Sequence, residues 1–386
     1  MLICNTFVSK SLNAIIMENK KKYSIYLIIL LTFTFQIGIL KSQTHPDFTI
    51  IKQVPASPVK SQGRTGTCWS YATTSFIESE ALRQGKGLFD LSEMYVVRNT
   101  YSSKAKKYVR LQGTNNFSEG GQAHDVLNEV RIHGLVPEEM YKGLDYGSTQ
   151  HNHSEMVSIL DGMLKGLLKG KTRSISWLPS FNSILDNYLG ENPKDFKYKG
   201  KTYTPQSFAK NVVGFNPDDY VELSSYQDYP YYKQFDLEVP DNWSHDLYYN
   251  LPMHELMQVM DYALNNGFSV DWDGDVSEID FNSKAGTAVL SMKESDGIII
   301  NGLDKMRLKT FDNLSTTDDH LMHLTGIAKD KNGTIFYLTK NSWGANSNLF
   351  GGYLYMSKWY VQLKTIAILV HKNAIPKDIK KKLGIK

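Results

Sequence analysis

The chemistry this chain can do starts from one thiol. Cys68 lies in the segment Gln62-Gly63-Arg64-Thr65-Gly66-Thr67-Cys68-Trp69-Ser70. Gly63 and Gly66 permit a tight, exposed loop. The recurrence of Trp69, Ala72 and Phe76 predicts a helix with an apolar stripe that begins at the cysteine and ends at Gly85 and Gly87. A thiol at a helix start meets unpaired N–H groups and the positive end of the helix dipole, which both favour thiolate. The commoner fate of a free cysteine is that of a small buried hydrophobe, and the residue alone leaves both readings open.

A cysteine nucleophile needs a base, a group that orients the base, and donors for the oxyanion. Of ten histidines, those in Asp319-His320-Leu321-Met322-His323-Leu324-Thr325-Gly326 stand apart. Asp330-Lys331-Asn332-Gly333 is a hairpin signal, followed by Ile335 to Lys340 and then Asn341-Ser342-Trp343-Gly344. His320 and Asn341 lie almost equally far from that turn, so two paired antiparallel strands bring a carboxamide oxygen beside an imidazole N–H. Trp343 is placed to cover that contact. His320 and His323 differ by three and point to opposite faces of one strand. Only one can face the thiol, and His323 by itself reads as a sheet histidine.

The elements that must position these groups suggest an α+β chain. Helical patterns occupy about Gln122 to His133, residues 151 to 170, and His254 to Asn265. Residues 174 to 244, rich in Tyr, Pro and Asp, receive no assignment, and short strands follow Phe268. Asp271, Asp273 and Asp275 end one such strand. They read as a solvated turn, with the cleft as the second possibility.

With 386 residues, 41% of them apolar and 12% aromatic, the chain is neither disordered, collagen-like nor a polytopic membrane protein. Two cysteines exclude a disulfide-stapled fold. The net charge of +3 comes from the first 42 residues, so the body has no strong field for nucleic acid. Lys20, Lys21 and Lys22 precede an apolar stretch from Tyr23 to Leu40, which reads as a secretory leader cut after Ser42, with Met17 a candidate start. The expected compartment is periplasmic or extracellular, with a membrane anchor through residues 23–40 as the alternative. Cleavage would remove Cys4 and leave Cys68 as the one mature thiol. Gly166 to Thr172 fails as a phosphate loop and Asp271 to Asn282 fails as a calcium loop, so neither cofactor nor metal is expected.

Gln62 six residues before Cys68, Cys68-Trp69-Ser70, His320 six before Gly326, and Asn341-Ser342-Trp343-Gly344 together resemble the papain superfamily of cysteine peptidases. Ser118-Glu119-Gly120-Gly121-Gln122, Val136-Pro137-Glu138 and Leu324-Thr325-Gly326 are most similar to its bleomycin hydrolase and aminopeptidase C branch. The resemblance implies a two-lobed fold over residues 43–370, with a helical lobe carrying the cysteine and an antiparallel sheet lobe carrying His and Asn. It also implies Cys68 as nucleophile, His320 as base, Asn341 as orienter and Gln62 as oxyanion donor. Gly120, Gly121 and Lys386 would contact substrate, the last through a basic tail (residues 371–386) that lies in the cleft or is simply solvated. His and Asn follow the cysteine by 252 and 273 residues here, against roughly 130–150 in papain-like enzymes, which places an insertion of about 100 residues within 140–260. Leu321 is bulkier than the residue usual beside the base. The expected activity is removal of residues from peptides with a free amino end. An endopeptidase of the same fold and a noncatalytic peptide-binding protein are the alternatives. Hexamers are implied by the resemblance only.

Overall fold

A computed structural model describes residues 47–290 and 302–386. The leader assigned to residues 1–42 lies outside the described residues. Among the described residues, no helix is long and apolar enough to cross a membrane.

Five helices build the first lobe: α1 (Cys68–Arg83), α2 (Glu93–Arg110), α3 (Ala123–His133), α4 (Ser154–Leu168) and α5 (Trp177–Leu189). Trp69, Phe76, Tyr101, Leu160 and Phe181 meet in its core, all fully buried. The second lobe is a sheet with α6 (Met253–Asn265) against it. Its core joins Met260, Trp272, Met322, Leu324 and Tyr360.

The sheet strands are β1 (Phe48–Gln53), β4 (Tyr220–Ser224), β5 (Gln234–Asp236), β6 (Leu247–Asn250), β7 (Val270–Gly274), β8 (Phe281–Asn282), β9 (Thr287–Ala288), β10 (His320–Asp330), β11 (Ile335–Lys340), β12 (Tyr353–Ser357) and β13 (Thr365–His371). The strands β2 (Phe196–Tyr198) and β3 (Lys201–Tyr203) form a separate hairpin. The order is β5-β6-β4-β13-β7-β10-β11-β12-β9-β8, with β1 also on β10. The pairs β4–β6 and β9–β12 run parallel, so the sheet is mixed rather than wholly antiparallel.

Two further expectations are corrected, and the unassigned stretch finds its place. First, α1 has no one-sided apolar stripe: 14 of its 16 residues are buried. The helix lies between the first core and the sheet, so its polar side is buried too and finds polar partners there. Thr73 donates to Asp271 Oδ2 (2.6 Å), Ser75 Oγ meets His323 Nδ1 (2.8 Å), and Glu78 accepts from the Leu91 N–H (2.8 Å). Second, Asp271, Asp273 and Asp275 are no solvated turn but buried members or neighbours of β7, flanked by β10 and β13. Burial pushes the Asp271 carboxyl up to about 8, so it is largely protonated at neutrality. The unassigned stretch feeds both lobes: α5 enters the first core, and β4 and β5 extend the sheet.

The hairpin forms as its turn residues require. His323 opposes Lys340 and Leu324 opposes Thr339, and a bulge then shifts the pairing to Gly326 opposite Leu338.

Candidate active site

Three segments converge. The loop before α1 is fixed by Gly63, whose φ is +66° and whose Cβ, if it had one, would lie 2.5 Å from the His151 carbonyl oxygen. Only glycine suits that backbone and that approach. The Arg64 N–H donates to the same carbonyl (2.8 Å), and the Gly66 N–H donates to Glu119 Oε2 (2.7 Å). The loop therefore delivers Cys68 to the first position of α1. There its backbone N–H has no helical acceptor, and no described residue accepts from it.

His320 opens β10, and Asn341 follows the last residue of β11. His320 Nε2 lies 2.8 Å from Asn341 Oδ1. That oxygen also accepts the Ser342 N–H (2.7 Å), which fixes the amide's orientation. Oδ1 can only accept, so Nε2 carries the hydrogen and Nδ1 is left with its lone pair. Trp343 lies over the imidazole with ring centroids 4.8 Å apart, and Phe281 meets the indole edge-on. Gln62 is locked beside them. Its Oε1 accepts from Ser342 Oγ (2.6 Å) and its Nε2 donates one hydrogen to the Thr65 carbonyl (2.6 Å), leaving a second amide hydrogen.

Cys68, His320, Gln62 and Trp343 all line one open cleft of about 610 Å³, with Arg64, Glu119, Gly120, Asp241, Val276 and Asp319 among its other walls. The thiol is supported by the backbone of Leu321, the residue next to His320. Leu321 turns its side chain into the first core, which accommodates its bulk.

The electrostatics differ from the expected depressed thiol pKa. Burial pushes Cys68 up to about 12; the Leu321 hydrogen bond works against this, while Asp318, Asp273 and Asp241 add to it. Burial pushes His320 down to about 4, against the Asn341 hydrogen bond and the nearby Asp319. Burial therefore favours the neutral form of both groups. The helix start does not offset desolvation by the lobes that close over it.

The structure brings Cys68, His320, Asn341, Gln62 and Gly120 to one place. Gly121 does not line the cleft but packs tightly on Trp69 and Asp125. Lys386 is exposed and is not a cleft residue. The tail leading to it forms α7 (Lys377–Lys382), buries Ile379 and Leu383 in the second core, and ties Lys382 to Glu255 at 2.6 Å. His323 faces α1 instead of the cleft. The sequence reading missed Ser342 as the holder of Gln62, and Asp241, which comes from the unassigned stretch. Among the described residues, no group of three or more His, Cys, Asp or Glu could hold a metal ion.

Two family models match the chain: the Peptidase C1-like family over residues 186–385 and the Papain family cysteine protease over residues 45–174. Aminopeptidase C of Lactobacillus delbrueckii subsp. lactis is 22% identical, over 88% of this chain and 85% of its own length. Aminopeptidase E of Lactobacillus helveticus is 25% identical, over 82% and 81%. The crystal structure of pepw from Lactobacillus rhamnosis superposes with a TM-score of 0.69 at 21% identity, covering 87% of this chain and 84% of that one, a likeness of fold.

Proposed function

Because the chain belongs to the Peptidase C1-like family, within the papain-type cysteine peptidases, we propose that it is a cysteine aminopeptidase with Cys68 as nucleophile, His320 as base and then acid, Asn341 as orienter and Gln62 as oxyanion donor. One observation carries the reading. Asn341 occupies Nε2 of His320 at 2.8 Å, so Nδ1 is the ring nitrogen left for a thiol that lines the same cleft.

In the first step Cys68 Sγ attacks the peptide carbonyl while its proton passes to His320 Nδ1. Thiolate and imidazolium then arise together, each the other's counter-ion, which offsets the burial that disfavours either alone. The oxyanion accepts from the Cys68 N–H and the remaining Gln62 amide hydrogen. His320 returns the proton to the amine as the C–N bond breaks, leaving a thioester. Water then attacks, giving its proton to Nδ1, and the acid leaves as Sγ is reprotonated.

The aminopeptidase mode is supported by the names of the two relatives. Endopeptidase action is the second reading, favoured by the position of the chain end away from the cleft. Offering one peptide with a free and an acetylated amino end decides between them. Hydrolysis confined to the free form, and absent in Cys68→Ala, is expected. Equal cutting of both forms removes the aminopeptidase reading, and activity surviving in Cys68→Ala removes the peptidase mechanism. Export through residues 1–42 also belongs to this reading. N-terminal sequencing of the protein from its native cells tests it, a start near Gln43 being expected.

A further inference from the structure

The aminopeptidase reading needs a group that holds the substrate's α-ammonium, and Lys386 is not at the cleft to supply a carboxylate. Another carboxylate is there. Asp241 lines the same cleft as Cys68 and His320. Its Oδ2 lies 1.8 Å from where a Cβ on Gly120 would be, so it rests directly over the Gly120 backbone, at a point only glycine can occupy. Gly120 in turn adjoins Glu119, whose carbonyl accepts from Trp69 Nε1 (3.0 Å), one residue beyond the thiol.

Asp241 is held as a fixed group. Its Oδ1 accepts from Asn116 Nδ2 (2.8 Å) and Ser118 Oγ (3.3 Å). No described residue donates to Oδ2. The loop is pinned just after it: Asn242 Nδ2 donates to Asp236 Oδ1 (2.9 Å) and the Leu237 carbonyl (3.1 Å), and Trp243 Nε1 donates to Asp125 Oδ2 (2.8 Å). Of the other cleft carboxylates, Asp319 uses both oxygens, on Thr317 Oγ1 (2.7 Å) and on the N–H groups of Val276 (3.3 Å) and Ser277 (3.0 Å). Glu119 spends one oxygen on the Gly66 N–H (2.7 Å). Buried Lys104, whose Nζ binds the carbonyls of Ser118 and Gly120, sits behind this wall rather than in the cleft.

We propose that Asp241 is the specificity residue of this cleft: its Oδ2 receives the free α-ammonium of a peptide whose first carbonyl lies at Cys68, and its bulk over Gly120 stops a longer chain from extending past that point. The proposal rests on the aminopeptidase reading but replaces the chain end with an internal carboxylate. A charged, oriented acceptor favours an ammonium over an acetamide, which has lost both the charge and two donors.

The test separates the two ideas by reading binding rather than turnover. The full chain carrying Cys68→Ala is titrated with a fluorescent tripeptide bearing a free or an acetylated amino end. At least tenfold tighter binding of the free form is expected. Adding Asp241→Asn should bring the ratio to within twofold, while adding Glu119→Gln should leave it. Gly120→Ala, which keeps every charge but drives a Cβ into the carboxylate, should also collapse it. Thermal melts check that each variant is folded. A ratio near one before Asp241 is changed, no binding of either form, a ratio that survives Asp241→Asn, or one lost in Glu119→Gln would each overturn the proposal. Hydrolysis by the unmodified protein with a binding ratio indifferent to Asp241 keeps the peptidase and removes the anchor. The expected ratios without hydrolysis keep the anchor and remove the peptidase.

Discussion

His320 and His323 sit three residues apart on β10 and are both buried, with burial favouring the neutral form of each, yet they meet different polar partners. His320 stands with Met322 and Leu324 on the side of the second lobe, at the strand's open end, where Asn341 and Trp343 meet it. His323 stands with Leu321 on the side of the helical lobe, edge-on to Phe76 and 2.8 Å from Ser75 Oγ. Their partners from the neighbouring strand and its end also differ: Lys340 opposes His323 and reaches Ser75 (2.7 Å), while Asn341 holds His320 (2.8 Å). Burial pushes both imidazoles down, Lys340 adding to the effect at His323. A depressed pKa therefore cannot tell a base from a structural histidine. What separates them is whether a ring nitrogen opens onto the cleft that holds the thiol.

The largest effect expected is on turnover. His320→Ala should lower kcat by about 10³-fold or more, while His323→Ala should leave it within about tenfold. Steady-state assays on an aminoacyl amide check this, and a loss of similar size in both variants would erase the distinction. Next, Asn341→Ala and Gln62→Ala should each lower kcat by about 10²-fold, the first through a freed imidazole and the second through a lost oxyanion donor. An unchanged kcat in Gln62→Ala would remove it from the oxyanion site.

The thiol provides the third contrast. With Cys68 pushed up to about 12 by burial and His320 down to about 4, alkylation by iodoacetamide should rise with pH across 6 to 9. A plateau already reached below pH 6 would mean that the mutual attraction of thiolate and imidazolium outweighs burial even without substrate.

The smallest effect is on stability, and it should be greater at His323, which faces α1 rather than the cleft. His323→Gln should lower unfolding stability by about 1–3 kcal/mol in urea at pH 7.5, because it disturbs a buried pair with Ser75. The pH dependence has a definite sign. Unfolded His binds a proton below about 6.5, whereas folded His323 stays neutral to well below that. Its contribution is therefore complete above pH 6.5 and is lost as pH falls toward the folded value, by about 1.4 kcal/mol per unit. The deficit of His323→Gln relative to the unmodified protein should accordingly shrink between pH 6.5 and 4.5. A constant deficit would show that His323 is protonated in the fold.

Much of this was legible along the chain. Cys68, His320 and Asn341 stand out because loop glycines, a helix start and a hairpin turn are local signals, and local signals fix which residues end up near a given turn; Gln62 entered only through the family resemblance. The opposite faces of His320 and His323 follow from the two-residue period of a strand. The helix α2 was missed even though Ser92 caps it by accepting the Tyr95 N–H (3.1 Å), because its buried face carries Arg98, Asn99 and Lys104 among the apolar residues and blurs the apolar stripe. The helix α5 carries Phe181, Leu185 and Leu189 at helical spacing, all buried, but the surrounding Tyr and Pro residues obscured it.

The order of Cys68, His320 and Asn341, and the turn that pairs the last two, were legible in the sequence, since each depends on residue type and short separations. Only the folded chain decided the rest. It buried α1 on two sides, raised the thiol's pKa where the helix start alone would lower it, put the chain's last residue outside the cleft and laid Asp241 on Gly120. The reason is that desolvation and contact across 121 residues of separation depend on how two lobes close, and no local pattern records that closure.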